Sequence, residues 1–370
     1  MLSFSDELSA IIFEYNTNKN IEKLESFGGL RSKSKALVIY GCGAFGHSLY
    51  DFFAKHNIEI TAFCDTFKNG VDPSTGLAII SPDSLTKIYP DANVVLGVGA
   101  SQVRNKMKNK LRGISFSGSI LDFSDIMFPI FLENEPMNDE ELLSIVTRYE
   151  KVWSMLSDDT SRGVLLDRMR LMLLWKPMRV SPIEHLYFEP GIINLNADEV
   201  FVDGGFFDGE TSLMFADKTK GRFAHIFAFE PSKIPIEANK LNGHENFTLI
   251  TKGLWAHDKL LNFSDVGRAS SCVCENGDIS ISVTSIDNYF NDKTLVPTFI
   301  KLDIEGSEKQ ALLGAKRIIS TFKPKLAISV YHRPEDLNEI PEIIKNFNNG
   351  YDFYLRHYTE SSCDTVLYAV

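Results

Sequence analysis

Residues 201–211 read FVDGGFFDGET. An apolar run ends in Asp203 and two glycines, and Asp208 and Glu210 follow almost at once. A strand that enters a glycine turn and leaves as a helix is the opening unit of a doubly wound α/β sheet, whose ligands lie at the carboxyl ends of its strands. A second turn of the same kind, VIYGCGAFGHS at 38–48, stands upstream without any acid. The two turns set the fold, and their difference in charge separates their ligands.

Downstream of Asp203, apolar runs alternate with helical spacing. FAFEP (227–231), NFTLITKGLW (246–255), FIKLDIEG (299–306) and KLAISVYH (325–332) read as strands. ETSLMFADKT, SKIPIEANKL, EKQALLGAKRIIS and EDLNEIPEIIKNF read as helices, while KLLNFSD and ISVTSIDNYF add strand material. YDFYLRHY and DTVLYAV close the series too near each other for a parallel crossover, so the last strand is expected to run antiparallel. Residues 35–120 show the same alternation on a smaller scale, preceded by a leading helix over 6–27. Between them, NDEELLSIVTRYEKVWSML and DDTSRGVLLDRMRLMLLW carry helical apolar stripes, broken afterwards by Pro177, Pro182 and Pro190. The expected architecture is α/β: two doubly wound sheets, at 1–120 and 196–370, joined by a helical connector at 121–195.

Size and composition agree with more than one core. The chain has 370 residues, 44% hydrophobic and 24% charged, with a net charge of −11. Such a charge argues against nucleic acid as the partner. No apolar run reaches the length of a membrane span, and MLSFSDELSA lacks the features of a signal peptide. Five scattered cysteines fit a reduced, cytoplasmic protein, and Cys272-x-Cys274 alone is weak metal spacing. The oligomeric state is not encoded in any feature of this kind.

The upstream turn, Gly41-x-Gly43-x-x-Gly46 with Asp65 ending the next strand, has the form of a dinucleotide fingerprint. It would suit NAD(P) and an oxidoreductase. The same glycines would also serve plain strand–helix packing. The acidic turn repels a pyrophosphate and suits a cationic ligand. S-adenosylmethionine carries an ammonium and a sulfonium and no phosphate. Asp203 would hold the ammonium side directly or through water, Gly204 and Gly205 would let the backbone approach, and Glu230 would accept the ribose hydroxyls. Asp208 and Glu210 also have a simpler reading as acids at a helix start.

The order of VFVDGGFFDGET, FAFEPS, KGLW, FIKLDIEGSE, LLGA and KPKLAISVYHRPEDL resembles the FkbM family of S-adenosylmethionine-dependent methyltransferases. The resemblance implies a class I methyltransferase fold over the C-terminal half. It implies a cofactor loop of Asp203, Gly204, Gly205 and Gly209, with Glu210 and Thr211 opening the helix behind it. Glu230 is then the ribose acid, Gly253, Leu254 and Trp255 lie near the adenine, and Asp303 reaches the reaction rim. The bulky Phe206 and Phe207 depart from the family and are expected to narrow the pocket, which keeps a non-catalytic binding protein in view. The N-terminal part resembles nucleotide-binding domains found beside sugar-modifying enzymes.

Methyl transfer to a hydroxyl calls for a base at the rim. His332, after the strand that neighbours the one delivering Asp303, is the first choice, because imidazole titrates near neutrality; His357 is second. A divalent ion on Asp203, Asp303 and Glu305 ranks below a metal-free site. The acceptor implied by the resemblance is a hydroxyl of a sugar or related metabolite, a small molecule or glycan in surface polysaccharide biosynthesis.

Overall fold

The computed structural model describes residues 4–18, 35–55, 58–98, 101–121, 139–174, 178–232, 241, 245–264, 272–273, 279–333, 335–359 and 363–370. They divide into two compact units, Met1–Leu143 with Leu166–Arg179 and Thr359–Ser362, and Ser144–Leu165 with Val180–Tyr358 and Cys363–Val370. Residues 19–27 of the expected leading helix and 233–240 of the expected helix after Pro231 lie outside the described residues.

The first unit carries strands β1 (Leu37–Tyr40), β2 (Ala62–Cys64), β3 (Gly70–Val71), β4 (Ala78–Ile80), β5 (Asn93–Leu96) and β6 (Ser119–Leu121), in the order β3-β4-β2-β1-β5-β6. All pairings are parallel except β3 with β4. Every residue of β1 and β5 is buried, as expected where helices cover both faces of a parallel sheet. Three of its helices are α2 (Ala44–Lys55), α3 (Pro82–Ile88) and α4 (Ser101–Gly113), after α1 (Phe4–Asn18). α3 shows its start in the sequence: Ser81 accepts the Ser84 amide at 3.2 Å and Pro82 takes the first turn.

The connector helices are present as α5 (Asp139–Met155) and α6 (Asp159–Leu174). The division between the compact units runs through them, near Leu165. The junction between the two helices docks on the edge of the second unit's sheet. Leu156 bridges Phe353, the Ser157 amide donates to the Phe353 carbonyl at 2.8 Å, and Ser161 Oγ accepts the Leu355 amide at 2.8 Å.

That sheet has seven strands: β7 (Val200–Gly204), β8 (His225–Phe229), β9 (Phe247–Ile250), β14 (Phe299–Leu302), β15 (Lys325–Ser329), β16 (Phe353–His357) and β17 (Thr365–Ala369). Their order is β16-β17-β15-β14-β7-β8-β9. β17 runs antiparallel to both β15 and β16, as the short final connection requires. Phe201 stacks on Phe215 of α7 (Glu210–Lys218) with ring centroids 4.5 Å apart, and Phe299 and Phe188 complete the aromatic core. The extra strand material forms a separate four-stranded sheet of β10 (Gly253–Leu254), β11 (Lys259–Ser264), β12 (Cys272–Val273) and β13 (Ile279–Thr284).

Two expected elements are interrupted. The strand over 246–255 breaks after Ile250, and Gly253–Leu254 joins the small sheet. The helix from Glu308 divides into α9 (Glu308–Leu313) and α10 (Lys316–Phe322), after the short α8 (Ile286–Tyr289). Gly314 explains the second break, since a Cβ there would lie 2.1 Å from the Trp255 carbonyl oxygen. The last helix, α11 (Asp336–Phe347), keeps Pro341 inside it.

Phe215 and Phe322 test this packing. Phe215 is fully buried and Phe322 is half-exposed. Phe215→Ala is expected to cost about 3–5 kcal/mol and Phe322→Ala about 0.5 kcal/mol or less, as measured by urea unfolding.

Candidate active site

Asp203 ends β7 with no exposed surface. A buried carboxylate needs a counter-charge, and β14 supplies it: Lys301 stands opposite Asp203 in the parallel register. The Lys301 ammonium donates to Asp203 Oδ1 at 3.0 Å and to the Gly204 and Gly205 carbonyls at 3.1 and 2.9 Å. Ser212 Oγ donates to Asp203 Oδ2 at 2.6 Å. Asp203 is therefore already paired within the protein, which favours the water-mediated form of the expected contact with a ligand ammonium over the direct one. Its place is beneath the loop, which it holds in shape. The signal was a lysine inside the apolar run FIKLD.

Above this pair the glycines form a cradle. Gly205 has φ +82°, and a Cβ on it would lie 1.8 Å from the Asp303 carbonyl oxygen. A Cβ on Gly204 would meet Leu302 and Leu254 at 2.8 and 2.9 Å, so β10 leans directly on the turn. Gly209, at φ +83°, opens α7 with the Phe206 ring packed beneath it. Phe206 is buried and also meets Phe247, so it belongs to the core. Phe207 is half-exposed. Asp208 Oδ1 accepts the Glu210 amide at 3.1 Å, the simple helix-start role; Thr211 is half-buried behind it.

Glu230 follows β8, and its two carboxylate oxygens each take one backbone amide, from Phe207 at 3.1 Å and Ser232 at 3.0 Å. The carboxylate is fixed across the end of the cradle with acceptor capacity left on both oxygens. Gly253, Leu254 and Trp255 lie in and after β10. The Trp255 ring is half-buried against Ile281 and Val283, with Lys259 Nζ 5.1 Å from its centroid.

Asp303 follows β14. Tyr187 donates to its Oδ2 at 2.8 Å and Tyr331 to its Oδ1 at 3.1 Å. Burial and the nearby Asp303 charge push both phenols well above their ordinary range, so they remain donors. Burial alone would raise the Asp303 pKa, but His332, Lys301 and the hydroxyls of Tyr187 and Ser329 hold it below the usual value. Neither tyrosine was singled out from sequence. Tyr187 stands more than a hundred residues from Asp303 in an irregular segment with φ +64°, where periodicity carries no signal.

His332 occupies the centre of an acidic group. Its Nδ1 lies 3.0 Å from Glu308 Oε1, and its Nε2 lies 3.4 Å from Asp303 Oδ1 and 3.6 Å from Glu305 Oε2. Burial opposes its charge, yet Glu308, Asp303 and Glu305 together raise its pKa to about 10. This shift favours the imidazolium at neutral pH, the form without a lone pair to take a proton. That form argues against the expected role of His332 as base. Asp303, Glu308 and His332 present ligand atoms within 4.8 Å of one another. His357, the second choice, is fully buried in β16 with Nδ1 2.9 Å from Thr365 Oγ1 and belongs to the core.

Glu305 differs from its neighbours. Its backbone has φ +54°, rare for a residue with a side chain. The side chain is 34% exposed, against 7% for His332. Burial, opposed by His332 and reinforced by Asp303 and Glu308, raises its pKa to about 7.

In the first unit the Gly41 turn is tightly packed. A Cβ on Gly46 would lie 1.9 Å from the Gly41 carbonyl oxygen, and one on Gly41, at φ +120°, 2.6 Å from that of Gly97; Gly43 faces open space. Asp65 accepts the amides of Cys42, Phe67 and Lys68 at 2.9, 2.8 and 3.1 Å. Both of its oxygens are engaged in shaping the turn.

The strand order, the glycine cradle after the first strand and the acid after the second define a class I methyltransferase fold. Residues 203–353 match the family model described as the Methyltransferase FkbM domain, and residues 36–111 match the PglD N-terminal domain. The second unit thus carries a methyltransferase domain of the FkbM type. A crystal structure of Methyltransferase FkbM from Methylobacillus flagellatus KT is similar over 100% of both chains, with 24% identity and a TM-score of 0.69. A fibrillarin/Nop5p complex aligns over 49% of this chain and 76% of the other, with 16% identity and a TM-score of 0.31. No curated protein matches the chain.

His332→Gln removes the cation from among three carboxylates and is expected to cost about 3–5 kcal/mol, the range for breaking a buried pair. The raised His332 pKa makes the native state hold this proton more tightly than the unfolded chain. The stabilisation is complete below about pH 6.5 and lost as pH rises through about 10. Melting temperatures between pH 7 and 10 should therefore fall in the wild type and fall less in His332→Gln.

Proposed function

We propose that the chain transfers a methyl group from S-adenosylmethionine to a hydroxyl of a sugar or sugar-like metabolite, in the assembly of a surface polysaccharide. The observation that carries the cofactor is Glu230, whose carboxylate is held by two backbone amides at the end of a cradle that Cβ atoms would fill. Glu230 would accept the two ribose hydroxyls, Gly205 and Gly209 would admit the ligand chain, and Leu254 would border the adenine. When bound, the cofactor supplies an electrophilic methyl group on a sulfonium. The surrounding carboxylates, Asp208, Glu210 and Asp303, favour that positive charge.

On this reading Glu305 takes the acceptor proton. Its pKa of about 7 matches the working range of a general base, and its carboxylate is more accessible than His332. His332 keeps the neighbouring charge of Asp303 and Glu308 compensated, which allows Glu305 to lose its own proton near neutrality. Asp303, fixed by Tyr187 and Tyr331, is placed to orient the acceptor. The saccharide acceptor rests on the family resemblance alone.

S-adenosylhomocysteine should raise the melting temperature of the wild type, since a ligand bound by the native state alone stabilises it. Glu230→Ala should lose most of that shift, and an undiminished shift there would remove the cofactor assignment.

For the base, Glu305→Gln should lower turnover by roughly 100-fold with cofactor affinity unchanged. Wild-type turnover should rise with pH through about 7 as the carboxylate forms, and this acid limb should vanish in Glu305→Gln. A retained limb would return the proton to another group.

A further inference from the structure

We infer that Cys42, His47 and Asp72, in the first unit, form a binding site for a divalent cation of the zinc class. The three come from separate elements: the turn after β1, the first turn of α2, and the residue after β3. Their ligand atoms lie within 4.8 Å of one another. Nothing in the proposed methyl transfer uses them.

The hydrogen-bond pattern requires a positive species at this point. His47 Nδ1 lies 2.9 Å from the Gly43 carbonyl oxygen, an acceptor only, so this nitrogen carries a hydrogen. Nε2 then presents its lone pair, yet it lies 3.0 Å from Asp72 Oδ1, a second acceptor. Two acceptors at that distance need a cation between them, either another proton or a metal ion. A ligating histidine commonly has this tautomer, with Nδ1–H on a carbonyl and Nε2 toward the metal.

Asp72 is arranged for the same purpose. Its Oδ2 is fixed by Ser74 Oγ at 2.6 Å, Thr75 Oγ1 at 2.8 Å and the Thr75 amide at 3.0 Å. Its Oδ1 meets His47 and the Cys42 sulfur, the latter at 3.6 Å. One oxygen is thus locked by the hairpin, and the other is turned to imidazole and thiol. The Cys42 thiol donates to Asp72 Oδ1 across 3.6 Å, so imidazole and thiol converge on one carboxylate oxygen, and a metal ion would take the place of both protons there. Around zinc, with bonds of about 2.0–2.1 Å to nitrogen and oxygen and about 2.3 Å to sulfur, tetrahedral neighbours stand roughly 3.3–3.6 Å apart. The observed 3.0 and 3.6 Å fall within about 0.3 Å of that range. Thiolate, imidazole and carboxylate together select zinc or cobalt over magnesium or calcium. On binding, the Cys42 thiol gives its proton to solvent and a metal–sulfur bond replaces the S–H bond. Three protein ligands leave one position for water or another ligand.

The test uses the full chain, reduced, stripped with chelator and titrated with Co²⁺. One equivalent per chain with a thiolate-to-cobalt charge-transfer band is expected, displaced by Zn²⁺. Cys42→Ser should abolish the band, and Asp72→Asn and His47→Gln should weaken affinity at least ten-fold. Cys64→Ser, Cys363→Ser and the Cys272→Ser/Cys274→Ser double variant should leave it intact. Cobalt bound without the band, no binding, or a band that survives Cys42→Ser would overturn the site. Should Cys42→Ser not fold, full affinity in His47→Gln would overturn it equally. The acidic group around His332 contains no sulfur and cannot produce the band.

Discussion

The Lys301 ammonium lies beneath the turn after β7 with all three of its protons donated, to Asp203 and to the carbonyls of Gly204 and Gly205. This arrangement fixes the candidate site. Desolvating two charges is costly, and the pair is tolerable only because every remaining donor and acceptor is satisfied. Ser212 completes Asp203, and the two carbonyls complete Lys301. The same contacts tie the glycine loop to β14, which delivers Asp303 two residues beyond Lys301. The cofactor cradle and the reaction rim are thereby positioned by one interaction rather than by two separate ones.

A second constraint is electrostatic. Asp303, Glu305 and Glu308 surround a single imidazolium. His332, Lys301 and the Tyr187 hydroxyl favour ionised Asp303, while burial works against ionised Glu305. Three carboxyl groups of similar intrinsic acidity are thus separated into different roles by their surroundings. A histidine that looks like a base in the sequence becomes the charge that tunes a carboxylate.

The fold was legible from the sequence because its strands are apolar runs of the expected length, punctuated by glycine and acid, and because the final connection is too short for a crossover. The glycines of the second turn and Glu230 were legible for the same reason, each at a strand tip. The breaks at Ile250 and Gly314 were not, since both depend on contacts with a sheet built from other parts of the chain. The pairing of Asp203 was hidden because its partner lies 98 residues away; the register between β7 and β14 had to be known. The protonation of His332 was hidden likewise, as no local pattern reports three carboxylates converging from different turns. Cys42 and His47 were visible near the Gly41 turn, but Asp72 carried no signal of joining them.

The position of β17 bears on how the sheet assembles. It follows every other strand of that sheet in the chain, yet it lies inside, between β15 and β16. β16 therefore has no neighbour along its inner edge until β17 is inserted, and its other contacts include the Leu156–Ser161 junction and Ser181, far earlier in the chain. Closing this side of the sheet demands long-range contacts made late, which slow folding. Until that insertion, the edge of β15 presents unpaired backbone groups to solvent, the kind of surface that recruits strands from other molecules. During folding, the side of the sheet remote from the cofactor turn is the one most exposed to misassociation.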